Sequence, residues 1–139
     1  MVVDASVAVK WVVAEQHSEA ASALLQGPPL HAPAHWLAEA INALWAKAVR
    51  GDLSAADISS RAAALAQAPV RVAALADLSE SALALSLALR VTVYDSLYIV
   101  LAQRLNAIFV TSDLPLVRKA AASSLPSGLV HFVGAGPVK

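Results

Sequence analysis

Short apolar runs rich in β-branched residues alternate along this chain with longer stretches that are apolar at every third or fourth position. Met1-Val-Val-Asp4 predicts a buried strand that ends on an acid. Residues 6–14 carry helical spacing, with Lys10 as their polar mark. Ser18 is the expected N-cap of a second helix, with Ala20, Ala21, Leu24 and Leu25 as its apolar stripe. Gly27-Pro28-Pro29 stops that helix, and residues 30–32 predict a strand closed by Pro33. A long helix over 34–50 follows. Its buried stripe is expected at Leu37, Ile41, Leu44 and Ala48, with Gly51 at its C-terminal end. Ser54 or Asp57 opens an Ala-rich helix that ends before Pro69. Residues 70–75 predict a strand, 79–89 a helix, and 94–105 a helix with Asp95 in its first turn. Residues 107–111 predict a buried strand, 114–120 a short helix with Pro115 in its opening turn, and 129–133 the last strand.

This alternation implies βα units: one α/β domain over 1–139, with a mainly parallel central sheet and helices on both faces. Strands with little polar alternation agree with a sheet covered on both sides. Residues 133–139, rich in Gly, are expected to form a frayed tail.

Composition narrows the function. The 139 residues are 58% hydrophobic, which excludes an intrinsically disordered chain. The longest charge-free stretches, 20–38 and 120–138, are interrupted by Pro and Gly, so neither reads as a membrane span. There is no signal-peptide pattern, and with no Cys the chain has no disulfide scaffold, thiolate zinc site or Cys nucleophile. Both features point to the cytoplasm. Ten basic and ten acidic residues balance, so any action on nucleic acid must come from a local site.

Only 14% of residues are charged, so the placement of the acids is informative. Asp4 and Asp113 follow strands, where open α/β sheets build their sites. Asp95 opens a helix, and Glu39 lies early in the long one, off its expected core stripe. Taken singly, the three aspartates read equally well as helix N-caps, and Glu39 as a solvated helix residue. Taken together they read differently. Two carboxylates ~5 Å apart repel by about 3 kcal/mol at an effective dielectric near 20, so a cluster of four calls for a cation. Oxygen-only ligands suit Mg²⁺ or Mn²⁺, ions that polarise a phosphodiester and activate water.

Four blocks then resemble one family in order and spacing: Val-Val-Asp4-Ala-Ser6-Val-Ala-Val-Lys10-Trp11, Glu39-Ala-Ile-Asn42-Ala-Leu44, Tyr94-Asp95-Ser-Leu-Tyr98 and Val110-Thr111-Ser-Asp113. The chain resembles PIN-domain proteins of the VapC toxin type over essentially its whole length. The resemblance implies a Mg²⁺- or Mn²⁺-dependent endoribonuclease, the toxin half of a type II toxin–antitoxin pair. It also implies a homodimer, RNA as substrate and a cognate antitoxin protein. Position by position, Asp4, Glu39, Asp95 and Asp113 match the catalytic acids. Asp4, Asp95 and Asp113 would be metal ligands, with Glu39 acting through water or on the nucleophile. Ser6, Asn42 and Thr111 would orient those carboxylates. One departure stands out: many relatives carry a basic residue after the last acid, and this chain has Leu114 and Pro115.

Among the basic residues Lys10, one turn after Asp4, is the first choice for RNA contact. Trp11, Trp36 and Trp45 fall near apolar helix positions and read as core or dimer packing rather than base stacking. His31 and His35 are separated by Pro33 and do not make a two-His zinc helix. Two other readings stand beside the nuclease. One is a catalytically silent PIN-like binding module. The other is a phosphoacceptor receiver domain, which would need a second acid beside Asp4 and a Lys near Gly134.

Overall fold

The computed structural model describes residues 1–136. Five strands, β1 (Val2–Val3), β2 (Leu30–Pro33), β3 (Val70–Ala73), β4 (Phe109–Thr111) and β5 (Val130–Phe132), form one sheet in the order β3-β2-β1-β4-β5. All four neighbouring pairs are parallel. The helices are α1 (Ala5–Val9), α2 (Ser18–Ala23), α3 (Trp36–Val49), α4 (Ala55–Ala66), α5 (Leu75–Leu89), α6 (Val93–Arg104) and α7 (Leu114–Ala121).

Strand alternation sends the core both ways. Val2, Ala32, Phe109 and Val130 pack with residues of α3 to α7, whereas Val3, Leu30, Val110 and Val133 pack with Val7 and Ala21. Helices therefore cover both faces, as the alternation of elements predicts. The chain moves outward from β1 through β2 to β3, then crosses back to β4 on the other side of β1. The carboxyl ends of β1 and β4 thus flank the point where strand order reverses, the place where open α/β sheets hold ligands.

Local signals account for several boundaries. Gly51 adopts φ 84°, and the Gly51 and Asp52 amides donate to the Ala48 and Lys47 carbonyls, closing α3 in a Schellman motif. Ser54 caps α4 through the Asp57 amide. Thr92 does the same for α6 through the Asp95 amide.

Four expectations are corrected. α5 begins at Leu75, not at Ser79, because Leu78, Ala82 and Ser86 bury one continuous stripe and Ser79 bonds back to the Leu75 carbonyl inside the helix. α2 takes His17 as its N-cap residue with no side-chain bond, while the Ser18 hydroxyl donates to the Val13 carbonyl. The buried stripe of α3 is Trp36, Ala40 and Leu44, leaving Ile41 40% exposed. The small Ala40 faces inward where α1 packs on α3. Val133 is no frayed end: it is 4% exposed, and its amide donates to the Thr111 carbonyl. The rest of the expected tail, from residue 137 on, lies outside the described residues. Among the described residues no single helix is long and apolar enough to cross a membrane.

Candidate active site

β1 delivers Asp4 to the strand-order reversal, and the residue doubles as N-cap of α1 through the Val7 amide, 3.0 Å away. Its Oδ1 also accepts from the Ser6 hydroxyl at 2.6 Å, and its Oδ2 from the Thr111 hydroxyl at 2.5 Å. Both hydroxyls are themselves held. Ser6 Oγ accepts from the Ser112 amide and Thr111 Oγ1 from the Asp113 amide, each at 3.0 Å. The turn between β4 and α7 thereby grips Asp4 through two hydroxyls. Three of roughly four acceptor positions on the carboxylate are filled, and one on Oδ2 remains. Part of Asp4 reaches solvent, but its carboxylate is enclosed. Desolvation pushes it up to about 6; the hydrogen bonds from Ser6, Thr111 and Val7 offset this in part, and the charge of Glu39 adds to it.

α3 brings Glu39 alongside. The Tyr98 hydroxyl donates to Glu39 Oε1 at 3.1 Å, and His35 Nε2 lies 2.7 Å from the same oxygen. Nε2 thus faces a carboxylate at close range, while the buried Nδ1 has no hydrogen-bond partner. Tyr98 is 1% exposed and stacks on Phe109 with centroids 5.3 Å apart. Burial, then the charges of Glu39 and Asp4, hold its phenol far above the usual range, so it acts as a neutral donor.

Asp95 lies in the first turn of α6, and Asp113 is the N-cap of α7. Asp95 Oδ2 accepts from the Thr92 hydroxyl at 2.7 Å, and Asp113 Oδ1 caps α7 through the Leu116 amide at 2.9 Å. Of the predicted acids, Asp4 and Glu39 share one electrostatic environment, Asp113 is linked to Asp4 only through its backbone amide and Thr111 while its carboxylate caps α7, and Asp95 is engaged with Thr92. As the side chains stand, among the described residues no three His, Cys, Asp or Glu form a group that could hold a metal ion. Ser6 and Thr111 contact Asp4 as expected, whereas Asn42 is exposed on α3. Lys10 is directed elsewhere: its ammonium bonds Glu15 at 2.8 Å, and Lys47 bonds the other Glu15 oxygen at 2.7 Å. Burial pushes Glu15 up, but the two lysines outweigh it and leave the carboxyl below its ordinary range. Sequence reasoning missed this bridge, and it missed the roles of His35 and Tyr98. The four-residue spacing of His35 and Glu39 was the available signal.

These acids lie in a chain whose residues 1–122 match the family model for the PIN domain. The chain belongs to the PIN domain family. This PIN domain is 34% identical to Ribonuclease VapC3 of Pyrobaculum aerophilum over 129 residues, 91% of this chain and 98% of that relative. Its fold matches the crystal structure of PAE2754 from the same organism, with TM-score 0.67, 23% identity, and 95% and 82% of the two chains covered. It also matches VapC20 of Mycobacterium tuberculosis, a sarcin-ricin loop cleaving toxin, with TM-score 0.59, 18% identity and coverage of 76% and 83%. A toxin–antitoxin complex from Klebsiella pneumoniae matches with TM-score 0.63, 13% identity and coverage of 95% and 96%.

Proposed function

We propose that this PIN domain is a Mg²⁺- or Mn²⁺-dependent endoribonuclease, the toxin of a toxin–antitoxin pair. The observation that carries the reading is Asp4. It is a desolvated carboxylate at the strand-order reversal, gripped by three donors, with one acceptor position free and Glu39 beside it. A hard cation fits that donor set: it restores the charge that burial disfavours, and its ligands would all be oxygens. Asp4, Asp95 and Asp113 would hold it, with Asp95 and Asp113 turning from their present partners at the starts of α6 and α7. When bound, the ion supplies Lewis-acid polarisation of a phosphodiester and an activated water. The chain's own part is to orient. Ser6 and Thr111 fix Asp4, and Tyr98 fixes Glu39 so that its free oxygen can accept a proton from the attacking water.

The similarity to Ribonuclease VapC3 supports RNA as substrate, and the toxin–antitoxin fold neighbour supports an antitoxin partner. An acidic site attracts a cationic side chain, so the antitoxin would place Arg or Lys over Asp4 and Glu39. Ile41, Trp45 and Val49 leave an apolar stripe open on α3, which favours a homodimer.

The test is cleavage of total RNA by purified protein with Mg²⁺, Mn²⁺ or EDTA, beside Asp4→Asn. Metal-dependent fragments from the wild type alone are expected. A folded wild type that leaves RNA intact with either metal would favour the silent binding module.

A further inference from the structure

Four rings lead from the core to the surface beside the acids. Phe109 stacks on Tyr98, Tyr98 meets His35 at 4.9 Å between centroids, and His35 meets Tyr94 at 5.6 Å and 39°. The run ends in the open: Tyr94 is 62% exposed, although it precedes Asp95 and rests on the imidazole that touches Glu39. What singles Tyr94 out is its place, beside Asp95 in sequence and packed against His35, and not exposure alone. His35 supports that ring, with a side chain 9% exposed and its Nε2 against Glu39. Lys10 and Lys47 are both engaged by Glu15 and so do not reach toward the acids.

We infer that Tyr94 is a stacking platform for an unpaired nucleobase of the RNA, at the mouth of the carboxylate site. The inference rests on the ribonuclease reading and adds how the substrate is held. A flat face serves any base and is available only to single strands or loops, where bases are already splayed out.

Tyr94→Ala, Tyr94→Leu and Tyr94→Phe are compared with the wild type on short single-stranded RNAs. Loss of one stacked base corresponds to about a tenfold rise in KM or more. That rise is expected in the Ala and Leu variants with kcat nearly unchanged, whereas Phe, which keeps the ring, behaves as wild type. Leu preserves apolar packing on His35, so a defect shared by Ala and Leu is not a folding defect. A fluorescent purine analogue placed at each RNA position in turn should be quenched at one position by Asp4→Asn protein, and not when Tyr94→Leu is added. Wild-type cleavage with an unchanged KM in Tyr94→Leu overturns the platform and leaves the nuclease standing. A wild type that cleaves no RNA overturns both.

Discussion

Replacing Asp4 with Asn tests the site through stability as well as cleavage. The carboxyl moves from an ordinary 3.8 to about 6 on folding, chiefly by desolvation. That gap corresponds to roughly 3 kcal/mol, an upper bound because part of the residue reaches solvent. The sign follows from the proton count. The folded state holds this proton more tightly than the unfolded chain, so folded stability falls as pH rises from about 4 to about 6 and stays low above that. Asn carries no charge to desolvate and keeps the Ser6 and Val7 bonds through its carbonyl. It must reverse the Thr111 bond, because an amide nitrogen now stands where Oδ2 accepted, at a cost of about 1 kcal/mol. At about pH 8 without metal, the variant should be more stable by about 1–2 kcal/mol, or about 3–6 °C in Tm. At about pH 4.5 the advantage should vanish, since the wild-type carboxyl is then mostly neutral. The assay is urea or thermal unfolding of both proteins across that range in EDTA, with RNA cleavage in Mg²⁺ alongside. A stability difference that stays constant across the range would refute the reasoning, because only the charge of Asp4 makes it vary. Wild-type cleavage by the variant would refute the assigned role.

Tyr98→Phe removes the hydroxyl that pins Glu39 and should cost about 1 kcal/mol while lowering kcat more than it raises KM; unaltered steady-state kinetics would mean Glu39 is oriented by other contacts. Glu15→Gln should cost about 1 kcal/mol at neutral pH, a modest figure because solvent screens the two lysine pairs. Glu15 is held below its ordinary range, so this cost should be present above about pH 4.5 and fade as acid protonates the folded wild type, as read from paired melting curves.

Much of this architecture is written locally. The strand before Asp4, the cap at Ser54 and Gly51 at the end of α3 each follow from one or two residue types, and the structure has them where the chemistry puts them. Phase in the apolar helices is different. On α3 both Leu37-Ile41-Leu44 and Trp36-Ala40-Leu44 have helical spacing, and no continuous polar face chooses between them. Packing against α1 chooses, and it favours the smaller Ala40. The start of α5 was hidden for a related reason, since Leu75 suits a strand end as well as a helix start until Leu78 and Ala82 find their partners. In the site, Ser6 and Thr111 were named through the family resemblance, since no local pattern reveals that the Thr111 bond to Asp4 spans 107 residues. The Tyr98 bond to Glu39, across 59 residues, was equally out of reach of local pattern. Lys10 misled for the complementary reason. It lies near Asp4 in sequence, but the turn after α1 presents it to Glu15.

The grip on Asp4 has a polarity that reaches beyond geometry. Each hydroxyl owns a single proton, and in Ser6 and Thr111 an incoming amide from residues 112 and 113 occupies a lone pair and leaves that proton aimed at the carboxylate. Turning either proton away would forfeit its bond to the carboxylate, so while Asp4 is ionised the pair act as donors to it. The carboxylate then has one vacancy, on Oδ2, and two rivals for it. A proton seeks it because burial favours the neutral acid, and a cation seeks it because that is the remaining lone pair. The two exclude each other there. Acidification should therefore weaken binding of the ion, because proton and cation compete for the same lone pair on Asp4.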